Sequence, residues 1–530
     1  STKGVHLLNV DPGQATNRTV MTFVGDPDSV VAAAFNAIKT ASEKIDMSKH
    51  SGEHPRFGAT DVCPLIPVSN ITMDELVPYA EKLAKKVSDE LNIPIYLYEN
   101  AAREDKRRNL ANVRSGEYEG LKKKINGNDW KPDFGKEFNK KSGATAIGVR
   151  DFLIAYNINL NTKSTRLANA IAFDVREKGR IKRDGHPVIG EIVYDKDGNP
   201  ESIPGSLKHV KAIGWYIEEF GIAQISMNLT NITETPIHIV FEEVVKKANA
   251  RGASVTGSEL VGLIPLKSMI DAGKYFLKKQ NRSVGIPEED IIKIAVESLG
   301  LNQVKTFDPT KNIIEYYLDK ITNKNGRLID LSTRSFSDEV SRETPAPGGG
   351  SVSSYVGALG TSLAGMVANL SCNTRGWENK VEIFSEKAHE INLLREKLLS
   401  LVDEDAHSFN SIMEAYKLPN DSDENKKIRS KAIKVATLYA AQIPLNIMIE
   451  SYTSYNIIEF LANEGNQNSL SDSGVACLCV HTAIHGAYLN VRINLKDVSG
   501  GDDIMKKADK ILKDSHLKKE KIMKLVEDKL

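Results

Sequence analysis

Leu394–Tyr416 reads LREKLLSLVDEDAHSFNSIMEAY. Its apolar residues Leu394, Leu398, Leu401, Val402, Phe409, Ile412, Met413 and Tyr416 recur at helical spacing, so one face of a helix is expected to be buried. Three acids interrupt the pattern together. At about 100° per residue, Asp403 and Glu404 fall off the stripe, whereas Asp405 lies between Leu401 and Phe409 and is expected to face inward. A carboxylate in a helix seam is costly unless it is paired, hydrogen-bonded or protonated. Spacing alone leaves two readings: a structural Asp satisfied by a neighbouring hydroxyl or backbone group, or a carboxyl whose pKa has moved toward proton transfer.

Around this stretch the chain has one character. After Ile329 no strand pattern recurs, and helical patterns run over 335–342, 351–370, 380–416, 425–462, 471–493 and 503–529. An all-α helix-bundle domain over 329–530 is expected. Gly357, Gly360, Ala364, Gly365 and Ala368 line one side of its second helix, where they let a neighbouring backbone approach closely. Pro345-Ala346-Pro347-Gly348-Gly349-Gly350-Ser351 leads into that helix. Backbone N–H groups of Gly348, Gly349 and Gly350 at a helix N-terminus suit an anion, although no Gly-Lys-Ser/Thr follows as in a P-loop. A plain turn with Ser351 as N-cap is the other reading. His481 and His485 stand four apart on one face, but no acid or Cys nearby completes a metal site; they are read as packing residues, and no metal is assigned.

Upstream, strands and helices alternate. VHLLNV (5–10) and TVMTFV (19–24) read as strands, and Asp26 before Pro27 as a helix start. VCPLIPV reads as a buried strand, Thr72 and Glu75 as a capping box for a helix ending near Asn92, and IPIYLY as another strand. FLIAYNINL, the helix 165–177, IAQISMNL and IHIVFEEVVKKANA make a second such unit, with a short helix near 287–301. Between Gly179 and Gly205, VIGEIVY beside DKDGNP reads as a surface β-ribbon turning at Asp-Gly. The expected architecture is an α+β half of two α/β subdomains (1–150 and 151–305), a linker (306–328) and the helical domain.

The composition excludes some classes. The chain has 530 residues, 70 Lys+Arg against 70 Asp+Glu, and net charge +0, so no global field draws it to nucleic acid or membrane. Cys63, Cys372, Cys477 and Cys479 lack C-x-x-C spacing and fit a reduced, cytoplasmic setting. The first residues lack a basic start followed by an apolar run, so no signal peptide is expected. The uncharged stretch between Glu343 and Arg375 is long enough to span a bilayer, but its Ser, Gly, Thr and Pro content reads as a buried helix and not a membrane span.

In the first unit, Gly52-Glu53-His54-Pro55-Arg56 occupies a loop before a buried strand, where an imidazole is suited to proton transfer near neutral pH. Arg103, in AAREDKRR after IPIYLY, is placed to hold a carboxylate, and Asp11, after the first strand, to orient an imidazole. All three are expected at the ends of consecutive strands. Lys122 to Lys124, Lys140 and Lys141 form basic runs around Trp130 that read as a solvated face or a site for a multiply anionic ligand.

With ATNRTVMTFVG, SGEHPRFGATDVCP, YLYENAAREDKRRNLANVRSGEYEGL, KPDFG, SELVGLIPL, TPAPGGGSV, LVDEDAHSF and NVRINLKDV, the chain closely resembles the bifunctional formimidoyltransferase-cyclodeaminases of histidine degradation, essentially end to end. The resemblance implies ferredoxin-like layers in the first half, which would move a formimidoyl group from N-formimidoyl-L-glutamate to N5 of tetrahydrofolate. It implies a second half that cyclises 5-formimidoyltetrahydrofolate to 5,10-methenyltetrahydrofolate and releases ammonia. By the same resemblance His54 is the acid/base of transfer, with Asp11 and Arg103 beside it, and Asp405 is the catalytic acid of cyclisation. Folate would contact Gly135, Lys136, Glu137, Phe138, Asn139, Lys140, Lys141, Ser142 and Gly143. Tetrahydrofolate, in polyglutamated form, is the implied co-substrate, no metal is implied, and the implied assembly is a homo-oligomeric ring of dimers. The family's pattern has a further Val-Pro-Asn-Phe-Ser-type segment before the first strand, which this sequence as given does not contain, and the 179–205 ribbon departs from the animal-type pattern. Two other classes stand beside this one: a folate-binding or cytoskeletal scaffold that has lost turnover, and a transferase with a degenerate helical domain. Intact His54, Asp405 and the GGGS turn argue against both.

Overall fold

The computed structural model describes residues 2–13, 17–50, 56–185, 189–322, 326–496 and 498–530. The chain forms two compact units, one of 1–268 with 299–321 and one of 269–298 with 322–530.

The first unit begins with the antiparallel hairpin β1 (Val5–Gly13) and β2 (Arg18–Gly25). Asp26 accepts the Ser29 N–H and starts α1 (Pro27–Lys44), whose Val31, Ala34, Phe35 and Ile38 are buried. After β3 (Val62–Leu65) the expected capping box is present: Thr72 accepts from Glu75, Glu75 bonds back, and α2 (Met73–Leu91) ends at Asn92 in the left-handed region. Then come β4 (Ile95–Glu99), the short helices α3 (Leu110–Arg114) and α4 (Glu117–Asn126), and β5 (Thr145–Val149). The sheet is parallel in the order β3-β5-β4. Its middle strand, TAIGV, is wholly buried; Ala146 and Gly148 interrupt its β-branched Thr145, Ile147 and Val149, so no apolar run marks it in the sequence.

A second sheet follows from β6 (Ile154–Leu160), α5 (Thr165–Val175), a ribbon region of two-residue strands β7 (Arg180–Ile181), β8 (Arg183–Asp184), β9 (Glu191–Ile192) and β10 (Ser202–Ile203), then β11 (Val210–Ile217), β12 (Ile222–Leu229), α6 (Ile237–Asn249) and β13 (Val255–Val261). The four long strands are all antiparallel in the order β11-β12-β6-β13. The ribbon turns at Asp197-Gly198, with Gly198 at φ +80°. Strand β11 was invisible in the sequence because its inward positions are Val210, Ala212 and Gly214; Gly214 is bare because a Cβ there would lie 2.2 Å from the Asn169 nitrogen of α5.

Next come α7 (Leu266–Lys279), α8 (Glu288–Leu299), α9 (Pro309–Asn312), α10 (Ile314–Thr322) and α11 (Thr333–Val340). The second unit is helical throughout its described residues and is dominated by α12 (Gly349–Cys372), α13 (Val381–Tyr416), α14 (Asp423–Glu464), α15 (Leu470–Leu495) and α16 (Asp502–Glu527). Helix α12 runs at the centre, against α13, α14 and α15. Its small residues act as expected: a Cβ on Gly357 would lie 3.0 Å from Ser451 Oγ and 3.1 Å from Ala483 Cβ, and one on Gly360 would lie 2.9 Å from Cys479 Cβ. By their contacts, residues 269–298 group with this unit. The 283–285 turn docks on α12 and α13 through Ser283 Oγ–H to Asn369 Oδ1 (2.6 Å), Val284 N–H to Ser385 Oγ (3.0 Å) and Asn369 Nδ2 to the Gly285 carbonyl (2.9 Å). Helices α14 and 467–495 are long and apolar enough to cross a membrane by length and composition, whereas the sequence pointed to 344–374. Both carry core residues of the bundle, among them Ile447, Met448, Ile458, Val480 and Ile484.

Candidate active site

The inward stripe of α13 is real at its centre: Leu398 and Val402 are fully buried, and Asp405 follows them onto the N-terminus of α12. Gly350 makes this approach possible, since a Cβ there would lie 2.0 Å from Asp405 Oδ1. The Ser351 hydroxyl donates to Asp405 Oδ2 at 3.0 Å. One and two turns away the same two helices are fixed by Ser354 Oγ–H donating to the Leu398 carbonyl at 2.6 Å. Burial pushes the Asp405 pKa above the ordinary carboxylate value, and the Ser351 hydroxyl and backbone N–H hold part of that rise back. Both sequence readings of Asp405 therefore bear on one group: it is satisfied by a hydroxyl, and its pKa is raised by burial.

The glycine run differs from the expected anion cradle. Helix α12 starts at Gly349 with Gly348 as N-cap, two residues before the expected start, and Ser351 is spent on Asp405 instead of capping. The carboxyl group of Asp405 itself takes the Gly350 side, and Gly349 faces the Asn490 side-chain amide of α15, to which an added Cβ would come within 3.1 Å. This corner holds an acid against Gly350 and a side-chain amide against Gly349 at the start of α12.

The neighbouring acids are not idle. Asp403 is half-buried, not turned to solvent as its place off the stripe suggests: its Oδ1 accepts the Leu328 N–H at 2.6 Å, and its Oδ2 is buried without a hydrogen-bond partner. Burial raises its pKa, opposed by the Leu328 and Ile329 backbone groups. Glu404 accepts from the Tyr439 hydroxyl of α14. At the other end of the stripe, Met413 and Tyr416 are exposed within the chain, while His407 is exposed as its position implies.

In the first unit, His54 and the rest of 51–55 lie outside the described residues. Arg56, next to them, donates to Glu119 Oε1 at 2.8 Å and to the His50 carbonyl at 2.7 Å. Asp11 does not follow the first strand; β1 continues to Gly13, and Asp11 pairs with Val20. Arg103 is exposed, bonded to Glu81 of α2 at 2.9 Å, with its guanidinium 4.9 Å from the Phe134 ring centroid. Arg103 is thus held by Glu81 and Phe134, and its expected grouping with His54 falls on residues outside those described. The sequence overlooked the buried arginine of the same motif: Arg107 pairs with Asp133 at 2.6 Å, and Asp133 also accepts the Leu97 N–H at 2.8 Å, tying KPDFG to β4.

Of the segment expected to meet folate, part is spent on its own turn. Ser142 N–H donates to Asn139 Oδ1 (2.9 Å), Asn139 Nδ2 to the Asn92 carbonyl (3.1 Å) and Lys141 Nζ to the Glu43 carbonyl (2.7 Å). Gly135 and Gly143 sit at φ +78° and +67°, and a Cβ on Gly143 would lie 2.1 Å from the Phe57 carbonyl oxygen. Phe138 lies tilted against Tyr118, with ring centroids 5.8 Å apart, while Lys136, Glu137 and Lys140 remain exposed. A second polar group went unnoticed: in the sheet of β6 and β12, buried Gln224 donates to Asn159 Oδ1 and Asn159 to Gln303 Oε1, both at 2.7 Å. Its signal in the sequence is the alternating pair Asn157 and Asn159, of a residue type depleted in strands.

His481 and His485 do not behave as core residues; His481 is half-buried and His485 exposed, and His516 of α16 joins them. The His481 pKa is pushed down to about 4, by burial first and then by His516, Lys519 and His485.

Three family models match this chain: the formiminotransferase domain, N-terminal subdomain, over residues 1–150; the formiminotransferase domain over 155–319; and formiminotransferase-cyclodeaminase over 332–513. A formimidoyltransferase-cyclodeaminase from Gallus gallus is 42% identical over 499 residues, covering 94% of this chain and 88% of its own length. A glutamate formimidoyltransferase from Streptococcus pyogenes serotype M1 is 40% identical over 53% of this chain and 86% of its own. Among solved structures, a formiminotetrahydrofolate cyclodeaminase from Thermotoga maritima is 31% identical and covers 38% of this chain and 96% of its own, with a TM-score of 0.33.

Proposed function

The chain belongs to the formimidoyltransferase-cyclodeaminase family, and from that premise we infer that it is a bifunctional folate enzyme of histidine degradation. It transfers the formimidoyl group of N-formimidoyl-L-glutamate to tetrahydrofolate, then cyclises 5-formimidoyltetrahydrofolate to 5,10-methenyltetrahydrofolate with release of ammonia. The observation that carries the second step is Asp405, seated against Gly350 and bonded to Ser351 with a raised pKa. Folate N10 attacks the formimidoyl carbon and its proton passes to Asp405. The formimidoyl group reacts as its protonated amidinium, so its nitrogen is already an amino group after attack; the same carboxyl returns the N10 proton to that nitrogen, the C–N bond breaks, and ammonia leaves the methenyl cation behind. Asn490 and the glycine turn position the substrate in this reading.

For the first step His54 takes the proton from folate N5 and delivers it to the departing glutamate nitrogen, with Asp11 and Arg103 in support and 135–143 as the folate segment. Family resemblance supports these assignments; exposed Lys136 and Lys140 suit the anionic tail of a polyglutamated folate. Transfer is assigned to subdomains 1–150 and 151–305, and cyclisation to 329–530. The strand-helix order β6-α5-β11-β12-α6-β13 supports ferredoxin-like layers in the second subdomain. Four free cysteines support a reduced, cytoplasmic setting. Exposed Leu359, Met366 and Leu370 of α12 support self-association. The test is the absorbance of methenyltetrahydrofolate formed from formimidoylglutamate and tetrahydrofolate: its appearance with ammonia supports the reading, and folate binding without either product favours the scaffold.

A further inference from the structure

Helix α15 carries His481 and His485 one turn apart on one face, and α16 brings His516 against them. The ring centroids are 4.9 Å (His481 to His516), 5.9 Å (His485 to His516) and 6.3 Å (His481 to His485) apart. One ring nitrogen from each lies within 4.8 Å of the others. Among the described residues no other three His, Cys, Asp or Glu side chains converge in this way. We propose that His481, His485 and His516 form a transition-metal site, of the kind that takes Zn²⁺, which staples α16 to α15.

The donor set fixes the class of ion. Three imidazoles and no carboxylate suit Zn²⁺ and its neighbours in the first row, and do not suit Mg²⁺ or Ca²⁺, which require oxygen ligands. In a tetrahedral site with metal–nitrogen bonds of about 2.0–2.1 Å, the ligand nitrogens stand about 3.3 Å apart. Closing to that distance takes rotation of His485 and His516, whose side chains are exposed. His481 is held more firmly: its Nδ1 lies 3.2 Å from the hydroxyl of Tyr455, a fully buried residue of α14. With Nδ1–H donating to that hydroxyl, Nε2 is left with its lone pair free for a metal, the arrangement in which an outer partner fixes a ligand's tautomer. The fourth position is open to water. Lys519, which acts on His481, opposes a cation, so an anion is the competing occupant.

This site is apart from the proposed chemistry, and its test does not depend on activity. The full chain, stripped with chelator, is titrated with Zn²⁺ alone and with Co²⁺ alone, reading bound metal per chain, the Co²⁺ visible band and the thermal unfolding midpoint. One metal per chain, a tetrahedral Co²⁺ band and a midpoint raised by Zn²⁺ are expected in the wild type. His485→Gln and His516→Gln change exposed side chains, so they should fold normally by circular dichroism while losing at least about 10-fold in affinity. Tyr455→Phe, which keeps the ring and removes the outer partner, should weaken binding by about 10–100-fold. His407→Gln, an exposed histidine on α13, should bind as the wild type. Failure of the wild type to bind Zn²⁺ overturns the proposal, as does equal binding by the His485→Gln/His516→Gln double variant. So does a midpoint raised by inorganic phosphate and not by Zn²⁺.

Discussion

At the scale of one residue, Asp405 is defined by the absence of a side chain opposite it. Gly350 leaves the space that the carboxyl fills, so Gly350→Ala forces either the acid or the helix to move. That variant should lose cyclisation and about 1–3 kcal/mol of stability in the helical unit, read by denaturant unfolding and by ammonia release. Asp405→Asn keeps the shape and removes the titrating group; a loss of about 10²–10⁴-fold in cyclisation is expected. Its effect on stability has a definite sign. Because the folded-state pKa of Asp405 is raised, the folded chain holds that proton more tightly than the unfolded one. The resulting stabilisation is present at acid pH and lost as pH rises through the raised value. The Asn variant does not suffer this loss, so its unfolding midpoint should match or exceed the wild type at neutral pH and fall behind on acidification. A variant that unfolds at neutral pH marks Asp405 as structural only.

At the scale of elements, the sequence was most legible where a pattern ran long. The period of α12 to α16 and the capping box at Thr72 were visible because many residues, or two at a fixed offset, carry the same message. The turn at Leu328 bonded to Asp403 was not, because it joins residues 75 apart that share no pattern. Nor was the docking of 283–285 on Asn369 and Ser385, in which short polar side chains meet backbone groups. Periodicity places Asp405 inward correctly, yet it misses that Asp403 is held as well. Asp403→Ala should therefore cost about 1–2 kcal/mol by freeing the Leu328 N–H, while leaving the cyclisation chemistry in place. Unfolding and single-turnover cyclisation, measured together, check both halves of that statement. A fragment that starts at 329 also gives up residues 269–298; it should stay helical by circular dichroism but melt below one that retains them.

At the scale of the molecule, each of the two proposed reactions belongs to a different compact unit, which makes them separable by mutation. His54 is proposed from the GEHPR motif and from no contact, whereas the proposal for Asp405 has pattern and contact beside the resemblance. His54→Ala is expected to lose about 10²–10⁴-fold in transfer from formimidoylglutamate and to retain cyclisation. The most direct test supplies 5-formimidoyltetrahydrofolate to the wild type, His54→Ala and Asp405→Asn and follows methenyltetrahydrofolate by its absorbance. Product should form with the wild type and with His54→Ala and fail to form with folded Asp405→Asn; normal turnover by Asp405→Asn would contradict the account at its centre.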